Sequence, residues 1–219
     1  MLAQRLSPLP SLRTLPAFLM MAFILPLLAG CGYNTIPTAE ENAKAAWSQV
    51  LNQYQRRADL IPNLVETVKG YASHEKDTLQ AVVEARSKAT QVTVTPETLS
   101  DPEAFKKFQD SQSGLTSALS RLLAITENYP DLKANQNFLA LQAQLEGTEN
   151  RIAVARRDYI QAVKEYNLTL RTFPSVLWAT LWFRDNQPFQ NFTVAEDKIQ
   201  TPKVDFGTGQ SNTGTGQGG

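Results

Sequence analysis

Between Thr38 and Gln91, apolar side chains recur every seven residues at Trp47, Tyr54, Ile61, Val68, Val82 and Ala89, with Val50, Leu64, Tyr71 and Ala85 three residues behind them. That alternation of three and four is the seam of a long helix in a bundle, and it predicts one helix over about 38–91. Glu75 and Thr78 interrupt the seam. Pro62 lies inside it, and because the heptad phase continues across the ring a kink is expected rather than an end. Thr38 with Glu41 three residues later forms a capping box. At 1.5 Å per residue the helix would span roughly 80 Å. The stretch from Thr93 to Pro102, with Pro96 and Asp101, predicts a reversal and a capped second helix over about 102–129, striped by Phe105, Phe108, Leu115, Leu119, Leu122, Thr126 and Tyr129. After a connector at Tyr129-Pro130-Asp131, a third helix is predicted over about 131–172, with Phe138, Leu141, Leu145, Ile152, Ala155, Tyr159, Ala162 and Tyr166 on one face. Short links between such helices predict an all-α fold, an up-down-up antiparallel three-helix bundle whose first helix outruns the second.

Phe173-Pro174 ends or bends the third helix, and Pro174 suits the first position of a short fourth one over about 174–183. Its side chains Leu177, Trp178, Leu181, Trp182 and Phe183 read either as a lid on the bundle end or as an exposed patch for a partner or the membrane interface. Residues 189–206 alternate enough to form an extended strap, and 207–219, built from Gly, Thr, Gln, Ser and Asn, are expected to be a disordered tail. The bundle domain is therefore placed at 38–188.

Residues 1–30 contain no acid, and Arg5 and Arg13 precede an apolar run from Leu15 to Leu28. That is the layout of a secretory signal. The run is roughly 14 residues against the ~20 that cross a hydrocarbon core, and Pro16 and Pro26 interrupt it, so a retained signal anchor is the second choice. Leu28-Ala29-Gly30-Cys31 resembles the bacterial lipobox, which makes Cys31 a lipidation site, with residues 31–37 as the anchor and linker. Stable attachment then takes more than one acyl chain. Gly32 after the Cys, in place of an Asp, mildly favours an outer-membrane destination over inner-membrane retention.

Composition narrows function mostly by exclusion. Six of the eleven Gly fall after Phe206, leaving the body of the chain too poor in Gly for a turn-rich α/β or all-β domain. The 21 basic and 21 acidic residues provide no field for nucleic acid, and removal of Arg5 and Arg13 with the signal leaves the remainder two charges negative. One Cys and one His leave no disulfide framework and few metal-ligand sets.

The densest polar text lies at Tyr54–Glu66 and Leu145–Tyr159. Arg57 falls on the seam of the first helix and Thr148 on that of the third, beside Glu149 and Arg151. A charged seam residue needs a partner, so Arg56, Arg57, Asp59, Glu66, Glu146, Glu149 and Arg151 are expected to form an internal polar network that fixes register. The sharper alternative is a carboxylate site of Glu66, Glu146 and Glu149, with or without a metal. Di-metal bundles pair inward Glu with Glu-x-x-His, and His74 is preceded at that spacing by Tyr71. Position 78 is Thr, so a zinc-protease helix is missing too, and there is no Gly-x-Ser-x-Gly elbow. No catalytic residue, cofactor or resident metal is assigned, and the chain is expected not to be an enzyme.

Ala46-Trp47-Ser48-Gln49-Val50, the run from Asn52 to Val65, and Val68-Lys69-Gly70-Tyr71 resemble the LemA family, as do Leu145–Ile152, Ala155–Tyr159, and Tyr166-Asn167 leading into Phe173-Pro174. The resemblance spans roughly Tyr33 to Phe206. It implies a bacterial membrane-attached protein whose helical bundle faces away from the cytoplasm, and it supplies no catalytic residues. Many family members carry an N-terminal transmembrane helix, from which this chain departs with its shorter run and lipobox. The expected role is a membrane-anchored extracytoplasmic scaffold or adaptor in the cell envelope, held by lipid or a retained signal anchor. A protein partner and self-association are expected, and nucleic acid is not. The alternatives are a carboxylate-lined metal-binding or hydrolytic bundle, and an envelope-assembly or membrane-remodelling component.

Overall fold

The computed structural model describes residues 32–92 and 94–192. The signal expected over 1–30, Cys31, the strap beyond Phe192 and the 207–219 tail lie outside these residues. The described chain is helical, with no strand: α1 Thr35–Lys69, α2 Lys76–Gln91, a 3-10 turn Pro96–Thr98, α3 Pro102–Thr126, α4 Pro130–Lys133, α5 Gln136–Thr169 and α6 Ser175–Leu181. The all-α class expected from the heptads is therefore what the chain adopts.

The helix expected over 38–91 is two helices. α1 stops at Lys69, the chain turns through 70–75, and α2 folds back so that the Arg86 Nε–H donates to the Ala58 carbonyl at 2.7 Å. The reason lies in coverage as well as propensity. Gly70 weakens the helix, and a straight continuation would carry Leu79, Val82 and Ala89 past any helix able to cover them, whereas the fold-back buries all three. The turn is held from outside: Tyr129 Oη donates to Glu75 Oε1 at 2.8 Å, and the Asn135 amide donates to Tyr71 Oη at 2.8 Å. Pro62 stays inside a continuous α1, as expected. The Thr38 capping box does not form, because α1 already begins at Thr35 after Asn34, and the Thr38 N–H bonds the Asn34 carbonyl.

α3 begins where Asp101 predicts. Its carboxylate accepts from the Glu103 and Ala104 N–H groups at 2.9 and 3.3 Å, and Pro102 occupies the first turn where no N–H is needed. It ends at Thr126 rather than Tyr129, and the third predicted helix divides into the short α4 and the long α5, capped by the Asn135 side chain on the Phe138 N–H.

Pairings fix the directions. Trp47 meets Tyr159 and Arg57 meets Glu149, so α1 and α5 are antiparallel, whereas Trp47 with Phe105 and Arg57 with Thr116 make α1 and α3 parallel. The long helices therefore run up, down, up and down, the first predicted helix having contributed two of the four. The core has two lobes. One surrounds Trp47, with Val50, Phe105, Phe108, Tyr159, Phe189 and Phe192. The other joins Ile61, Leu64 and Val68 to Val82, Leu115, Leu122 and Phe138 at the far end. Between the lobes sits a charge.

Candidate functional site

Arg57 falls on an apolar stripe, three residues after Tyr54 and four before Ile61, so helical geometry forces its side chain inward. It is 1% exposed. Nη1 donates to Thr116 Oγ1 and Glu149 Oε1, each at 3.0 Å, and Nη2 donates to Gln112 Oε1 at 2.6 Å. Gln112 in turn donates through Nε2 to the Ala89 carbonyl at 3.1 Å. One guanidinium thereby ties α1 to α3 and α5 directly, and to α2 through Gln112. The planar fork suits this, because several donors leave it in fixed directions. The guanidinium carbon also lies 4.9 Å from the Tyr54 ring centroid. Arg57 Nε is buried without a partner. Burial pushes the Tyr54 phenol above its ordinary range, with Arg156 and Arg57 opposing the shift.

Of the other residues expected in the network, only Glu149 reaches it, and its side chain remains 40% exposed. Arg56, Asp59, Glu66, Glu146 and Arg151 are exposed. Asp59 accepts from Gln55, Glu66 pairs with Lys69, Glu146 accepts from Gln142, and Arg151 donates to Thr148 Oγ1, each within one or two turns of its own helix. Charges at the neighbouring helical positions point to water once Arg57 points inward. Glu66, Glu146 and Glu149 do not gather into one site, and among the described residues no group of three His, Cys, Asp or Glu is placed to hold a metal ion. Glu146 and Glu149 do line a groove of about 410 Å³ with Leu119, Leu123 and Leu145. His74 is exposed in the 70–75 turn.

The sequence pattern missed Gln112 and Thr116. Gln112 lies four residues after Phe108 and three before Leu115, so it continues the apolar stripe of α3, and a polar residue in that phase was the available signal. Also missed were the side chains that hold the strap. Tyr159 Oη donates to the Gln190 carbonyl at 2.8 Å and Tyr166 Oη to the Gln187 carbonyl at 3.3 Å. Asn167 closes a reciprocal pair with Phe189, its Nδ2 donating to the carbonyl at 3.0 Å and its Oδ1 accepting the N–H at 2.9 Å. Burial raises the Tyr159 and Tyr166 phenols above their ordinary range. The described part of the strap thus starts before Phe189, and it pairs with side chains and with the Leu99 carbonyl.

At the end of the bundle where the described chain starts, α6 divides the aromatic decamer between both expected readings. Trp178 and Phe183 face inward and pack with Tyr33, at centroid distances of 5.6 and 5.3 Å. Phe173 is 79% exposed and Trp182 63%, with Leu177 and Leu181 also exposed. Gly32 lies so close to α6 that a Cβ there would meet Trp178 Cδ1 at 3.1 Å, and a side chain there would have to displace the Trp178 ring. Among the described residues no helix is long and apolar enough to cross a membrane.

A family model described as the LemA family matches residues 46–206. Magnetosome protein MamQ 2 of Paramagnetospirillum magneticum is 28% identical over 215 residues, 90% of this chain and 78% of the relative. Magnetosome protein MamQ of Magnetospirillum gryphiswaldense is 28% identical over 203 residues, 84% of this chain and 74% of the relative. Protein LemA of Metamycoplasma hominis is 26% identical over 140 residues, 64% of this chain and 60% of the relative.

Proposed function

The chain belongs to the LemA family, and from that premise we propose that it is a membrane-anchored, extracytoplasmic scaffold or adaptor rather than an enzyme. The observation that carries this reading is the Arg57 junction. The most deeply buried charge in the described chain is spent on holding four helices in register, a use of buried polar groups that fixes architecture. A body about 50 Å long, taken from the 35 residues of α1, with Gly32 and Tyr33 beside the aromatic α6 at one end, suits a component that displays a long polar surface away from its anchor. Membrane attachment is read from the apolar run before Cys31 and from the lipobox, with a retained signal anchor as the alternative. The similarity to proteins named magnetosome proteins supports association with a membrane, and the exposed face of α6 favours an envelope-assembly or membrane-remodelling version of the role.

Crosslinking in intact cells followed by mass spectrometry tests the adaptor role. A discrete protein partner enriched over a lipid-anchored control is expected, and recovery of none refutes it. Metabolic lipid labelling and detergent partitioning of Cys31→Ser test the anchor, since both should be lost if Cys31 carries lipid and neither should change if the signal is retained. Glu149→Gln separates scaffold from catalyst: a lower melting temperature with function kept fits a structural junction, whereas lost function at unchanged stability would make the junction a working site.

A further inference from the structure

We infer that the outer face of α6, with Phe173, Leu177, Leu181 and Trp182, lies in the interfacial layer of the membrane that holds the chain, so that the bundle stands on the lipid through a second contact. This deepens the anchoring reading and rests on it.

Three observations converge on a lipid occupant. The first is position: Gly32, directly after Cys31, lies so near Trp178 that a Cβ there would meet its ring at 3.1 Å, and Tyr33 packs on Trp178 and Phe183. Whatever attaches the chain to the membrane before Gly32 therefore brings α6 to the membrane surface. The second is the division of the helix. Ser175, Trp178, Ala179 and Phe183 face the bundle, while Leu177 and Leu181, one turn apart, face outward together with Trp182 and the preceding Phe173. Large apolar side chains elsewhere on the described surface, such as Val83, Leu139 and Val154, are scattered along the bundle sides, which is ordinary. Exposed aromatics gathered at one end are not.

The third is charge. From Leu170 to Arg184 there is no acid, and Arg171 and Arg184 bracket the apolar positions before Asp185 follows. Arginines flanking Trp and Leu at a helix lying in the interface match anionic headgroups, with the apolar stems entering the hydrocarbon boundary and the guanidinium groups remaining at headgroup level. Trp is favoured at that depth because its ring is apolar and its N–H is a donor.

The test reconstitutes the full chain into phosphatidylcholine–phosphatidylglycerol vesicles whose acyl chains are brominated near the headgroup, and compares its tryptophan emission with that in ordinary vesicles after flotation. Trp47 is buried in the bundle, so quenching reports the α6 end. The expected result is a floated protein with quenched emission, the quenched fraction falling about twofold or more in Trp182→Phe and in Leu177→Ser/Leu181→Ser, with helical circular dichroism unchanged. A floated protein with equal emission in both kinds of vesicle overturns the proposal and leaves the anchor standing. Emission shielded from both brominated lipid and iodide overturns it too, in favour of a second copy or another protein on the patch. Quenching that is unchanged in Trp182→Phe places the lipid elsewhere. Failure to float refutes the anchor itself, and this inference falls with it.

Discussion

Truncating Arg57 to Ala removes a side chain that is 1% exposed and bonded to three other side chains. Two costs combine. Gln112 Oε1, itself in a buried residue, loses its donor, at about 1–3 kcal/mol for an orphaned acceptor. The volume of the guanidinium and its stem is left as a void beside Tyr54, which raises the total to about 3–5 kcal/mol, the range for truncating a large, fully buried side chain to Ala. The Glu149 side chain is 40% exposed and hydrates when the pair is broken, so Glu149→Gln should cost no more than about 1 kcal/mol. Arg57→Lys falls between, since an ammonium cannot reach Thr116, Glu149 and Gln112 in one fork. Urea unfolding of the detergent-solubilised full chain, followed by far-ultraviolet circular dichroism, measures all three variants at a common m-value. For a chain of this size, Arg57→Ala should lower the melting temperature by roughly 6–20 °C. Equal costs for Arg57→Ala and Glu149→Gln, or a cost below about 1 kcal/mol for Arg57→Ala, would refute the view that this junction sets the register of the bundle.

Asp101→Ala should cost about 1 kcal/mol through the two N–H groups it caps, with Asp101→Asn close to neutral, read from the same unfolding curves. Asn167→Ala should release the strap, so that limited proteolysis cuts near Phe189 well before the bundle is attacked, because both halves of the reciprocal bond are lost. Tyr54, Tyr159 and Tyr166 have phenols raised above 10.0, so their folded forms favour the neutral ring. Their contribution is full below pH 10 and lost as pH climbs through the folded values, the unfolded chain ionising first. Melting temperature should therefore be flat with respect to these groups up to about pH 9 and decline above 10, less steeply in Tyr159→Phe, and an unchanged alkaline slope in that variant would contradict the assignment.

Why the first helix misled is visible at Gly70. The α1 and α2 stripes each face a core, and the gap of six residues between Lys69 and Lys76 nearly equals one heptad, so two seams meeting at a turn imitate one seam with an interruption. The local pattern carries no record of which helices are available to cover Leu79 and Val82. Arg57 was legible because a charge on a seam has few alternatives, and Glu149 because it lies beside the matching seam on α5. Gln112 is hidden among the many polar residues of α3, although its phase places it with Phe108 and Leu115. Arg56, Asp59 and Glu66 share the density of polar text around Arg57 but not its helical phase, and they face solvent. Tyr159 and Tyr166 fall on the apolar stripe of α5, but their hydroxyls, once buried, need acceptors, and the strap supplies them.

The antiparallel pairing of α1 with α5 also has a mechanical side. α1 alone joins the bundle to whatever precedes Gly32, and Trp47, Arg57 and their contacts on α5 lie side by side along its length. A pull between Gly32 and the start of α5 at Gln136, at the opposite end of the bundle beside the 70–75 turn, acts parallel to that interface, so the contacts share the load in shear instead of opening one after another. A pull on α6 away from Tyr33 would instead peel a helix of seven residues from the end of the bundle. Tension along the axis is thus borne by the whole body, and tension across it by its smallest part.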